Sequence, residues 1–113
     1  MTDTTREAIH EATSTKYALT LVVPPSIEEK LIDLLLGTAG NEVFTSVPVF
    51  SHGTAHGRLN NVEQVMGRSA AAQVQVIVTE TEMNALLDAM RTEFRGTGLR
   101  YWAHALTLEG EVQ

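Results

Sequence analysis

At 113 residues the chain has the size of one domain, long enough to close a core without disulfides or a structural metal. Its 14 acidic and 8 basic side chains leave a formal net charge of −6, which repels phosphate backbones and argues against nucleic acid as a partner. Arg91, Arg95 and Arg100 fall close together, but Glu93 interrupts them. Cysteine is absent, which excludes disulfides, thiolate metal sites and cysteine nucleophiles. No apolar run nears the ~20 residues that cross a bilayer, and residues 1–16 lack the apolar core of a signal peptide. A soluble, cytoplasmic protein without direct membrane insertion is expected.

Residues 1–16, MTDTTREAIHEATSTK, read as a flexible polar tail. Tyr17–Val23 is a strand by residue type, with Leu19, Leu21 and Val23 on one face, and Pro24-Pro25 ends it. Ser26-Ile-Glu-Glu29 has the form of a capping box. The helix behind it places Ile27, Leu31, Leu34 and Leu35 on one stripe, with Gly37 and Gly40 as its stop. Val43–Phe50 is a second strand, and Pro48 within it points to an edge or a bulge. A third strand spans Gln73–Thr79, alternating Val74, Val76 and Val78. Glu80-Thr81-Glu82 opens a second helix with acids at the positive end of its dipole, and Met83, Leu86, Leu87, Met90 and Phe94 repeat every 3.6 residues. Gly96-Thr97-Gly98 breaks it. Leu99–Leu108 is the last strand, with Trp102, His104 and Leu106 on one face and Tyr101, Ala103 and Ala105 on the other; residues 109–113 are a tail.

The order β-α-β-β-α-β predicts an α+β, ferredoxin-like two-layer sandwich over residues 17–108, with both helices on one sheet face. The other face stays uncovered and is largely apolar, which predicts packing against another subunit.

Between the second and third strands, Ser51–Ala72 reads as a long polar connection, and long connections inside compact domains tend to be functional or disordered. His52 and His56 lie four apart within it, where two imidazoles could share a cation. Gly53 and Gly57 disfavour a helix there. A third ligand has to come from His104, Glu63 or a neighbouring subunit; the alternatives are solvated loop histidines or a pH-responsive loop. Imidazole does not discriminate among zinc, copper, nickel and cobalt. Arg68, beside Gly67, either pairs with Glu63 or holds a phosphate. Gly96, Thr97 and Gly98, with Arg95 and Arg100, form either a small anion-binding turn or a helix C-cap leading into a strand. Trp102 and His104 line a pocket or pack an interface. No paired carboxylates, serine–histidine–acid set or other nucleophile motif can be assembled, so no enzyme is expected.

Phe44-Thr45-Ser46, the His52-Gly53 and His56-Gly57 pairs, and Glu63-Gln64-Val65-Met66-Gly67-Arg68 resemble the PII-like signalling proteins, over roughly Tyr17–Leu108. Within them the likeness is to an uncharacterised branch often encoded beside heavy-metal efflux pumps of the cobalt–zinc–cadmium type. The resemblance implies a homotrimer and a T-loop between strands two and three. It also implies a small effector, either a divalent transition-metal ion or an adenine nucleotide, and a protein partner for which a membrane transporter or its regulator is the candidate. On that reading His52, His56 and His104 would serve a metal. Gly67, Arg68, Gly96, Thr97, Gly98 and Arg100 would serve a nucleotide or anion. Gly53, Gly57, Arg58, Glu63 and Gln64 would form the partner-binding loop. The sequence departs from nitrogen-regulatory PII proteins in lacking the lysines of their phosphate-gripping segment, for which it has only Arg95–Arg100, and the T-loop tyrosine that some of them modify. Two rival classes are a CutA-like trimer, whose function is divalent-cation binding itself, and a small ferredoxin-like enzyme built around Trp102 and His104.

Overall fold

The computed structural model describes residues 15–38, 44–53 and 68–113. Its elements are β1 (Lys16–Val23), a 3₁₀ turn (Pro25–Ile27), α1 (Glu28–Thr38), β2 (Phe44–His52), β3 (Arg68–Thr79), α2 (Glu80–Glu93) and β4 (Arg100–Leu106). The four strands form one sheet in the order β2-β3-β1-β4, with every neighbouring pair antiparallel. This is the ferredoxin-like α+β architecture that the element order predicts. Both helices rest on one face.

The core follows from the alternation within the two central strands. Leu19, Leu21 and Val23 of β1 point to the same side as Ala72, Val74, Val76 and Val78 of β3, and all are buried. Leu31 and Leu35 of α1 and Leu86, Leu87 and Met90 of α2, with Phe94 just beyond it, close over them. Burying each such leucine is worth about 1.5–3 kcal/mol, so this layer carries most of the stability. Lys30 of α1 ties the helices together: its ammonium donates to the Glu93 carbonyl at 2.9 Å and lies 4.9 Å from the Phe94 ring centroid. A cation at the negative end of α2 is electrostatically favourable.

The helix starts and stops differ from those expected at three places. Ser26 lies inside the 3₁₀ turn, and α1 begins two positions later at Glu28, so the sequence Ser26-Ile-Glu-Glu29 does not mark the start of the helix. The capping box is instead at α2, where Glu82 N–H donates to Thr79 Oγ1 (3.2 Å) and Thr79 N–H to Glu82 Oε1 (2.8 Å). Gly37 does not stop α1, which continues through it to Thr38; a glycine costs a helix only about 1 kcal/mol, which tertiary packing overrides. Gly40 lies outside the described residues.

Pro48 is on an edge, as its chemistry requires, because β2 bonds only to β3. β4 is the other edge and spans Arg100–Leu106, shorter at each end than the run of apolar residues suggests.

Candidate functional site

The largest departure from expectation is at the β2–β3 connection. The pairing of β2 with β3 runs unbroken from Phe44↔Val76 to His52↔Arg68, so Ser51, His52 and residues 68–72 are strand and the connection shrinks from 51–72 to 53–67. Ala70-Ala71-Ala72 carries no apolar alternation, so nothing in its own residues marks a strand there. The cross-strand register supplies it. Gly53 leaves the arm with φ +76°, and open space surrounds the position of a Cβ, so it is the backbone conformation that favours glycine.

This arm differs from the sheet behind it. β1 ends opposite Ala72, at Val23, and Pro24 follows. Residues 68–71 of β3 and 49–52 of β2 therefore form a two-stranded ribbon with no third strand among the described residues. Such ribbons are marginal in water on their own. A staple holds this one: the Arg68 guanidinium lies over the Phe50 ring, its carbon 4.1 Å from the centroid. Phe50 pairs with Ala70 and Arg68 with His52, so the two side chains are diagonal neighbours on one face. A cation–π contact of this kind contributes about 0.5–2 kcal/mol, depending on its exposure. Arg68 Nε is buried without a hydrogen-bond partner, the only such side-chain nitrogen or oxygen among the described residues. The sequence reading missed Phe50, whose partner becomes visible only once the register is known.

Of the metal candidates, His52 is exposed at the tip of β2 and His104 is exposed on β4. They occupy opposite edges and opposite faces of the sheet. His104 lies in the row of Ala18 and Ile77, and from Ile77 to Arg68, the partner of His52, is roughly 30 Å along β3. One protomer does not bring these two imidazoles to one ion. Among the described residues no three His, Asp or Glu side chains cluster as metal ligands. His56, Gly57, Arg58, Glu63, Gln64 and Gly67 lie outside the described residues, and with them the Glu63 partner considered for Arg68.

The 94–99 segment is a helix C-cap that leads into β4. Phe94 N–H donates to Met90 O at 2.8 Å, and Thr97 N–H to Phe94 O at 3.3 Å. The Thr97 hydroxyl donates to Phe94 O (2.7 Å) and accepts from Leu99 N–H (3.3 Å). Gly96 and Gly98 take φ +77° and +85°. The turn thus uses the N–H groups of Thr97 and Leu99 and the Thr97 hydroxyl internally, which weakens an anion nest there. Arg95 and Arg100 are exposed beside it. Arg100 shares a cross-strand row with Val22, Gln73 and Val47, immediately before the arm leaves the sheet. The glycine turn and the arm therefore occupy the same end of the sheet, on opposite edges, about 14 Å apart across three strand spacings.

The uncovered sheet face is mixed, with Gln73, Arg100 and His104 among its apolar residues. Thr20 is 2% exposed although neither described helix covers it, and the Gln75 amide donates to its hydroxyl at 3.1 Å. Trp102, 44% exposed, lies opposite Thr20 in the same row. Ala18, Ile77, Val22 and Val47 flank this row on the same face. On the covered side of β4, Tyr101 interacts with Arg91 of α2; its hydroxyl, ahead of Asp88, holds the guanidinium pKa above its ordinary value.

This strand order, two helices on one face and a two-stranded arm at one end define a chain with the PII-like fold. The crystal structure of a DUF3240 family protein from Shewanella baltica superposes with a TM-score of 0.72 at 17% identity, over 89% of this chain and 100% of that one. CPII, a nitrogen regulatory PII-like protein from Thiomonas intermedia bound to ADP, AMP and bicarbonate, gives 0.65 at 20% identity, over 87% and 96%. Its apo form gives 0.57 at 20%, over 81% and 88%. Identities this low establish the fold alone. The chain itself belongs to the DUF3240 family, described as a protein of unknown function, whose family model matches residues 13–113. No curated protein matches the sequence. Among the described residues no helix is long and apolar enough to cross a membrane.

Proposed function

We propose that this is a non-enzymatic PII-like regulatory protein in which a small effector orders the β2–β3 connection for docking on a protein partner. The observation that carries the reading is the arm itself: a two-stranded ribbon that leaves the sheet unsupported by β1 and ends at the exposed His52 and Gly53. Ordering a flexible residue costs about 1–2 kcal/mol, so modest ligand contacts decide whether the connection beyond such a ribbon is folded.

An adenine nucleotide is the first candidate effector. CPII, which has the same fold, binds ADP and AMP. Arg68 on the arm, and Arg100 with Gly96, Thr97 and Gly98 beside β4, lie at one end of the sheet but on opposite edges. A site that used both sets would form between subunits, where one protomer's β2 edge meets another's β4 edge. The uncovered sheet face, with Trp102 and Val47 exposed on it, supports a homotrimer. A divalent transition-metal ion is the second candidate, with His52 at the mouth of the connection that carries His56 and further ligands from a second subunit. On that branch the protein serves transition-metal homeostasis, with an efflux transporter or its regulator as partner.

Calorimetric titration of metal-stripped protein with ADP, AMP, ATP and zinc separates these branches, with the His52→Ala/His56→Ala variant run in parallel. Nucleotide binding that survives the double substitution supports the inter-subunit site. Zinc binding that the substitution abolishes supports the loop site. Heats at the level of buffer for every ligand overturn the effector reading.

A further inference from the structure

Beyond β4 the chain continues as residues 107–113, TLEGEVQ, which form no helix or strand. Its two large apolar side chains find no cover on their own chain: Leu108 is 86% exposed and Val112 is fully exposed. A lone exposed leucine or valine needs no explanation, but these two stand on one short segment that adds nothing to the core. The segment is nevertheless part of the unit that the family shares, because the DUF3240 match runs to residue 113 although it starts only at residue 13.

An ion pair sets where the segment starts. The chain bends at Thr107, and the Glu109 carboxylate meets the Lys16 ammonium at 3.0 Å. Lys16 is the cross-strand partner of Leu106 and shares the parity of Ala18, Thr20 and Val22, so it stands on the uncovered sheet face. Trp102 and Val47, both exposed, lie on that same face. A pair this open to water adds little stability. It directs the segment to the rim of the uncovered face and leaves Leu108 and Val112 without a surface to bury against.

We infer that residues 107–113 clasp a second copy of this chain, the copy that packs on the uncovered face, and that Leu108 and Val112 are buried against it. The inference rests on the homotrimer of the proposed function and names a segment that crosses from one subunit to the next. It is independent of which effector binds. A second copy is the occupant because the anchor, Lys16, lies on the face through which the copies meet, and because the segment belongs to the family's shared unit.

The test is the double variant Leu108→Ser/Val112→Ser. Neither residue belongs to the core, so circular dichroism should keep the wild-type signal. In sedimentation velocity over a concentration series, wild type should assemble, and the variant should need at least about tenfold more protein to do so. Amide exchange of wild type reads the contact itself. At residues 109–112 it should slow by about an order of magnitude as rising concentration drives assembly. A variant that assembles as tightly as wild type overturns the inference, and so do 109–112 amides that exchange at unprotected rates in assembled wild type; in both cases the homotrimer stands. Wild type that sediments as a single chain at every concentration overturns the homotrimer and the clasp together.

Discussion

Along β3, residues 72–79 have β1 beside them, and 72–76 have β2 on the other side as well, whereas among the described residues 68–71 have β2 alone. In the first segment Ala72, Val74, Val76 and Val78 are buried beneath two helices. In the second, Ala71 is buried, Arg68 and Ser69 are half-buried and Ala70 is exposed, with the Arg68–Phe50 stack as the staple. The strand geometry is continuous, but what covers it is not. A strand long enough to serve both purposes lets a rigid body present an arm whose local stability is low, and elements that respond to ligands come from the low-stability end of a fold.

Substitutions at each level of this contrast should separate in size. The largest effect belongs to the body: Leu21→Ala, at a fully buried position, should lower global stability by about 2–5 kcal/mol in chemical denaturation. A loss under 1 kcal/mol would mean that the core is not centred on β1 and β3. Next comes the entry to α2. Thr79→Ala removes the hydroxyl arm of the capping box and should cost about 1 kcal/mol in the same assay.

Phe50→Ala acts on the arm. It should leave the global melting temperature within error of wild type and speed amide exchange in 49–52 and 68–71, consistent with a staple of about 0.5–1 kcal/mol. A global loss as large as that of Leu21→Ala would erase the distinction between arm and body. Smallest is the Lys16–Glu109 ion pair, 3.0 Å and partly exposed, where Glu109→Gln should change stability by at most about 0.5 kcal/mol and less at high salt.

The body was readable from the sequence because its periodicities are strong. Val74, Val76 and Val78 alternate, the leucines and methionines of α2 repeat at helical spacing, and Pro48 is at an edge as its missing N–H demands. The arm was not readable. Ala70–Ala72 has no alternation, and the register that extends β3 to Arg68 depends on β2, which lies elsewhere in the chain. Ser26–Glu29 has the form of a capping box yet caps no helix, because a 3₁₀ turn occupies residues 25–27; the box that forms is Thr79–Glu82. The histidine grouping failed for a related reason: spacing related His52 to His56, but nothing in the sequence said that His52 and His104 fall on opposite edges and faces of one sheet.

Whether a small effector orders the arm is decided by its hydrogen exchange, measured with and without saturating ADP and then zinc. One of these ligands should slow exchange in 49–52 and 68–71 and leave the amides of β1 and of residues 74–78 unchanged. Arm exchange that stays the same under both ligands would contradict the effector reading and leave the ribbon as a fixed part of the scaffold.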